Sequence, residues 1–381
     1  MGPTRQKIYL FVFFLALAEA LVFSVNSPFI ANLISGELVG TVYSLASLSA
    51  ILLLGLLPFF IRRAGPAGVL SALLFAGALV AFAVAYWPTA AILGALVIFL
   101  AIPQVAPAVS DIFIESSSRP GERGRVIGSE FTFMNLAFVI APIIGGFIIT
   151  RLGFNTLYAV SGAVFLLALL LSLRFTRHLR VSRLHTGHFW KGLGRAWRNR
   201  NLRNVLTTQF LLQFFFSWMV IYTPLYLIDK FALGYSTLGI IFSIMLIPYV
   251  ILEYPLGKIA DNKIGEKELL VVGFVLTAFT TAVIPLIETS SIWIWAIILF
   301  GTRVGAAMIE GMSATYFYKK ADAEDIDLIA LFRDMRPVAY ILGPLLASLI
   351  IFEFSMGSLF PILGLIMLTG ALIATRLRDT R

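Results

Sequence analysis

Long apolar runs alternate with short polar breaks along the whole chain, and that alternation is its dominant pattern. A helix needs about 20 apolar residues to cross the hydrocarbon core of a bilayer. On that criterion twelve runs predict spanning helices, at 8–31, 37–61, 66–86, 89–114, 126–150, 153–174, 204–228, 236–257, 268–287, 292–318, 327–352 and 357–375. Several breaks are short and carry Gly or Pro, as at Trp87-Pro88 and Gly153. One longer polar stretch separates the first six runs from the last six. The expected organisation is therefore a six-helix bundle over 1–174, a linker over 175–203 and a second bundle over 204–381.

The two halves also resemble each other. The charged, Gly-bounded stretch 257–270 reads as a turn between two apolar runs. Shifted by 200 positions it falls on 57–70, placing Gly265 on Gly65 and Leu270 on Leu70. At almost the same offset Ala141-Pro142-Ile143-Ile144 lies on Gly343-Pro344-Leu345-Leu346. Two copies of one membrane unit account for both matches.

Composition agrees with this picture. The chain is 59% hydrophobic and 13% charged, about half the charge of an ordinary soluble domain. The first run is too long for the core of a cleaved signal peptide and reads as a spanning helix. With no Cys there is neither a disulfide framework nor a thiolate metal site. The net charge of +9 could suggest nucleic acid as a partner, but the placement of the cations argues against it. With the N-terminus in the cytoplasm, 24 of the 29 Lys/Arg fall on cytoplasmic segments, two (Arg151, Lys230) fall outside, and three (Arg303, Arg333, Arg336) lie within spans. That asymmetry is a topology signal and puts both termini in the cytoplasm.

Nine basic residues run from Arg174, at the end of the sixth span, through the linker to Arg203, with Trp190, Leu193 and Trp197 at helical spacing among the cations. Such a pattern suggests an amphipathic helix on the anionic inner leaflet, against the alternative of a disordered basic tether. His185 and His188 lie in the same stretch, but HxxH without further ligands is a weak metal signal, and no metal or cofactor is expected.

Polar side chains at bilayer depth are costly and face a partner or a wet cavity. The first span carries Glu19 with Asn26 and Ser27 further along, and the fourth carries Gln104, Asp111 and Glu115. The seventh carries Gln209, Gln213 and Ser217, and the tenth carries Arg303 and Glu310. The third, sixth, ninth and twelfth spans have no central charge. A period of three helices, used twice in each half, explains both observations, and nested repeats of this kind place substrate near the midplane.

This architecture is similar to the major facilitator superfamily of secondary transporters over essentially the whole chain. Gly257-Lys258-Ile259-Ala260-Asp261-Asn262-Lys263-Ile264-Gly265 followed by Glu266-Lys267 resembles that family's loop signature G-x-L-A-D-R-x-G-R-K. The resemblance implies a cytoplasmic gate in which Asp261 faces a cation and a helix start of the other half, here near Arg123 and Arg125. The N-terminal copy departs, with Ile61 at the acidic position and Arg62 and Arg63 after it. Those two arginines either meet the acidic group Glu324, Asp325 and Asp327 or simply mark the cytoplasmic side. The fifth span, Ala137-x3-Ala141-Pro142-x2-Gly145-Gly146, resembles the family motif associated with proton-driven antiporters, although close packing alone selects the same residues.

Glu19 and Arg303 lie at matching depth in opposite halves, as a proton site and its modulating cation or as a static ion pair. Glu310 is a second proton site or a fixed counter-ion of Arg303. Asp111, Glu115 and Glu130 in one half, with Arg333, Asp334 and Arg336 in the other, form an inner gate or snorkel locally to the interface. Phe215, Phe216, Trp218, Tyr222 and Tyr226 of the seventh span, Trp218 and Tyr222 foremost, line an aromatic pocket or face lipid.

The expectation is a secondary transporter of the cytoplasmic membrane working by alternating access. It would exchange protons, or Na+, for a small amphipathic compound moved outward, with uptake of an anionic metabolite at Arg303 as the alternative. A transport-inactive scaffold of the same fold is the remaining reading. An enzyme is disfavoured by the absence of Cys and of intramembrane His. Lipids are the surrounding partners, and nothing requires more than a monomer.

Overall fold

The computed structural model describes residues 3–87, 89–116, 123–176, 189–262, 264–321 and 325–378. These form thirteen α-helices: α1 (Pro3–Phe23), α2 (Asn26–Ala31), α3 (Val39–Tyr86), α4 (Leu93–Ser116), α5 (Arg123–Thr176), α6 (Phe189–Arg198), α7 (Arg200–Phe231), α8 (Tyr235–Ile251), α9 (Glu253–Asn262), α10 (Glu266–Ala282), α11 (Ile292–Lys320), α12 (Ile326–Glu353) and α13 (Leu359–Ala374). Nine helical stretches among the described residues are long and apolar enough to cross a membrane. Two of them, α3 and α5, are broken by non-helical backbone at Gly65 and Gly153. Dividing those two and adding the shorter apolar α8 yields the twelve segments expected from the apolar pattern.

The breaks share one device. Gly65, Gly153 and Gly265 have φ/ψ of 70/162°, 82/174° and 99/158°. This corner of backbone space is open essentially to glycine alone. Each glycine stands between the second and third span of its triplet, so three of the four triplets turn the same way. The fourth turns through Phe354, extended at φ −130°, and a short 3-10 turn over Met356–Ser358. A Cβ at Gly65 or Gly153 would touch nothing within 4 Å, so the cost of Ala there is purely conformational. Gly65→Ala and Gly153→Ala are each expected to destabilise by about 1–3 kcal/mol, read as a lower thermal midpoint in detergent.

Two stretches differ from the sequence expectation. The first span is interrupted at Ser24-Val25, between α1 and α2. Pro28 explains this, because its ring would clash with the carbonyl four residues back, at Ser24, whereas proline is tolerated in the first turn of a new helix. The same logic operates at Leu252, where α8 stops and α9 begins three residues before Pro255. The motif stretch 257–262 is therefore helical, and among the described residues of the motif only Ile264 and Gly265 are not.

The chain forms two compact units, 1–184 with 234–243, and 185–233 with 244–381. In the first, α1 packs chiefly on α5, and α3 on α4 and α5. In the second, α7 packs on α12, α11 and α13, while α10 packs on α11 and α13. Large apolar side chains left exposed form stripes, as with Leu45, Leu48, Leu52, Leu56 and Phe59 along α3. Helices with such faces belong in lipid. By contrast α7 is 89% buried over its most apolar window, which makes it the inner helix of its unit.

Candidate functional site

Arg303 of α11 is the charged residue around which the second unit closes. It is only 2% exposed. Its guanidinium carbon lies 5.3 Å from the ring centre of Phe215 and 5.4 Å from that of Phe216, both on α7. Tyr249 on α8, Tyr340 on α12 and Glu310, about two turns along α11, lie within electrostatic reach of it. Four helices thus meet at one guanidinium. Its Nε and Nη1 lack a hydrogen-bond partner of good geometry among the described residues, while the Tyr249 hydroxyl lies close enough to the guanidinium to interact with it. A buried charge missing part of its hydrogen bonding is normally expensive, by several kcal/mol. Faced by aromatic rings and edged by open donors, this group can receive a planar anion.

The other polar stripes are used differently. Asn26 is buried and accepts a hydrogen bond from Tyr158 Oη at 2.7 Å, while Ser161 donates to the Ala18 carbonyl at 2.7 Å. These contacts hold α1 and α2 to the second limb of α5, so Asn26 has a packing role. Tyr158→Phe should cost about 1–3 kcal/mol of stability by stranding that amide. Flux per folded molecule should stay unchanged, and a large change in it would return Asn26 to the pathway. Gln104 Nε2 donates to Ser47 Oγ at 3.1 Å and to Leu100 O at 3.2 Å. On α7, Gln209 accepts from Ser313 Oγ at 3.1 Å, and Gln213 is buried nearby.

Trp218 and Tyr222 are fully buried and point at the Gly343-Pro344 stretch of α12. Trp218 Nε1 donates to the Gly343 carbonyl at 2.6 Å and Tyr222 Oη to the Pro344 carbonyl at 3.1 Å. Neither faces lipid, and both spend their polar atoms on a helix–helix joint. The matching joint in the first unit uses glycine: a Cβ on Gly145 would lie 2.7 Å from the Leu21 carbonyl. A Cβ on the neighbouring Gly146 would collide with the Tyr235 carbonyl, and one on Gly239 with that of Pro142. The motif glycines of the fifth span are thus accounted for by close backbone approach alone.

The remaining expected positions are distributed as follows. Glu19 is half-buried in the first unit, and Arg303 belongs to the second. Asp111 and Glu130 are half-buried, as are Glu310, Asp334 and Arg336, while Arg62, Arg63 and Arg333 are exposed. Arg336 lies 5.9 Å from the centre of the Tyr340 ring, which brings it to the edge of the Arg303 group. Gly257 lies inside α9 and Gly265 begins α10. The side chains of Glu115 and Asp261, and His185 with His188, lie outside the described residues. At the motif itself, buried Glu266 pairs with Lys319 at the end of α11. Sequence reading did not single out Phe215, Phe216, Tyr249 and Tyr340 as the surroundings of Arg303. Aromatic residues are too common in apolar spans for their presence to signal this. A separate cleft of about 580 Å³, lined by Tyr226, Asp229, Lys230, Pro285 and Ser355 among others, includes none of the Arg303 group.

The model of the Major Facilitator Superfamily matches residues 8–326 and, in a second match, 224–381. The chain belongs to this superfamily. The human protein MFS-type transporter SLC18B1 is 26% identical over 216 residues, 55% of this chain and 46% of that protein, so the match spans about half of each. Among solved structures, the nucleoside transporter NupG superposes with a TM-score of 0.73 at 15% identity, covering 98% of both chains. The human organic anion transporter MFSD10 (TETRAN) superposes with a TM-score of 0.69 at 13% identity, covering 98% of this chain and 100% of that one. At those identities the likeness establishes the major facilitator fold alone, in a multi-pass membrane protein whose family consists of transporters.

Proposed function

We propose that this chain is a secondary transporter for an organic anion with a flat apolar part, bound at Arg303 and moved by alternating access. The supporting observation is the guanidinium itself: 2% exposed, facing the rings of Phe215 and Phe216, with Nε and Nη1 lacking a well-formed hydrogen bond among the described residues. A carboxylate or similar anion supplies the missing acceptors through charge-assisted bonds, which are roughly twice as strong as neutral ones. The rings on α7 then contribute apolar contact to the rest of the molecule. An organic anion is also what MFSD10 is named for carrying.

Glu310 gives this reading its coupling ion. Anion and carboxylate would share one guanidinium, and two negative groups at one cation repel each other. A proton binding together with the substrate removes that repulsion, which makes proton-coupled uptake the favoured direction. The opposite direction rested on the fifth-span motif, whose glycines have a sufficient cause in helix packing. The Lys/Arg distribution supports a topology with both termini in the cytoplasm.

The test is a thermal-shift panel of aromatic carboxylates, their neutral amides and organic cations on purified protein, followed by flux in proteoliposomes under an imposed pH gradient. Carboxylates should stabilise the protein where their amides do not, and flux should follow the inward proton gradient. Equal stabilisation by the neutral amides would exclude Arg303 as the receiving group.

A further inference from the structure

The short helix α6 presents three distinct sides. One is docked within its own unit: Gly192 and Ala196 are buried, and Gly192 lies so close to the Asp327 carbonyl that no Cβ fits between. Arg195 Nη1 reaches Asp325 Oδ1 at 2.6 Å and Asp327 Oδ2 at 3.9 Å. Asp325 in turn caps α12 by accepting from Leu328 N at 3.3 Å. The second side is aromatic and open, with Trp190 79% and Trp197 67% exposed. The third is basic. At roughly 100° per residue, Lys191 and Arg198 lie on one stripe, two turns apart, next to the stripe of the tryptophans, and both are exposed. Arg203 of α7 adds its guanidinium 5.8 Å from the ring centre of Trp197.

Two bare indoles beside three cations make a poor surface for bulk water. They match a boundary that offers apolar chains at one depth and phosphates at the next, where Trp and basic residues settle together. A free phosphate would satisfy only the cations and leave the indoles exposed. We propose that α6 is a binding site for anionic phospholipid headgroups, and that it couples the lipid surface to the start of α12 through Gly192 and the Arg195–Asp325 pair.

The experiment is hydrogen exchange on the full chain in nanodiscs of phosphatidylcholine, with and without phosphatidylglycerol. Each cation at an anionic surface favours binding by roughly fivefold. Amides of 189–198 should therefore exchange at least about fivefold more slowly when phosphatidylglycerol is present. The amides that open α12 should gain protection with them. The combined variant Lys191→Ala, Arg198→Ala, Arg203→Ala should lose the lipid-dependent slowing, while unchanged protection in α7 and α11 reports that it is folded. Arg195→Ala should keep the slowing in α6 and lose it in α12. Equal exchange in both lipids, or slowing that survives the combined variant, overturns the site. Slowing in neutral discs on adding soluble glycerol phosphate would mean a free-anion site and overturn the lipid assignment. Slowing of α12 that persists in Arg195→Ala overturns the coupling.

Discussion

Arg303→Ala is expected to weaken binding of the transported anion by about 30-fold or more, since removing one partner of a buried charge pair costs about 2–5 kcal/mol. The same variant should be no less stable without substrate than the natural protein, and more stable by about a kilocalorie per mole if burying the guanidinium costs more than its attraction to Glu310 returns. This opposition separates a receiving site from a structural ion pair. A static pair loses about 3–5 kcal/mol of stability when one member is truncated, because the other is left buried and alone. Arg303→Lys should fall between, because the ammonium keeps the charge but cannot lie flat against Phe215 and Phe216 or present an edge of donors. Isothermal titration with the strongest ligand of the panel, alongside thermal melting of the apo protein, reads both quantities. Arg303→Ala protein that binds the anion normally and melts early would refute the assignment.

The second large effect is expected where α10 crosses α11, one short step along from that arginine. Gly273 and Gly305 face each other: a Cβ on Gly305 would lie 2.6 Å from the Gly273 carbonyl, and one on Gly273 would lie 2.9 Å from the Gly305 carbonyl. Backbone cannot rotate away as a side chain can, so even one methyl forces the helices apart. Gly305→Ala should cost about 1–3 kcal/mol or more, and Gly305→Val should prevent accumulation of folded protein. Gly311→Ala on the same helix is the internal control, because its Cβ would meet nothing within 4 Å. In open space Ala is favoured over Gly in a helix by about 1 kcal/mol, so that change should be neutral or stabilising. Melting curves of Gly305→Ala and Gly311→Ala that move together would mean that the crossing is looser than described.

Much of the fold was legible from residue order. A twenty-residue apolar run admits few alternatives when water is absent, since an unpaired backbone polar group costs too much in lipid. The repeat was visible at Gly65 and Gly265 because only glycine adopts the backbone those turns require, so the residue type reports the geometry directly. The two proline-linked interruptions, at Ser24-Val25 and Leu252, were missed because hydropathy does not register a ring that clashes four residues back.

For the site the balance shifts. Arg303 and Glu310 stand out in any reading, since a charge inside an apolar run carries a cost that needs a cause, whether transport or a fixed pair. Asn26, Gln209 and Trp218 looked equivalent to them as polar marks in spans, yet each has its hydrogen bonding satisfied by a neighbouring helix. The difference lies in the partner, and the partner comes from 104 to 132 residues away.

Residue order alone therefore determined the spanning helices, the repeat and the presence of two charges within one span, because each is a local cost set by composition and backbone chemistry. The tertiary structure alone decided which polar groups are spent on packing and which remain open. Satisfaction of a buried donor depends on helices that meet only after folding, and at Arg303, beside Phe215 and Phe216, that process leaves donors without a well-formed hydrogen bond among the described residues.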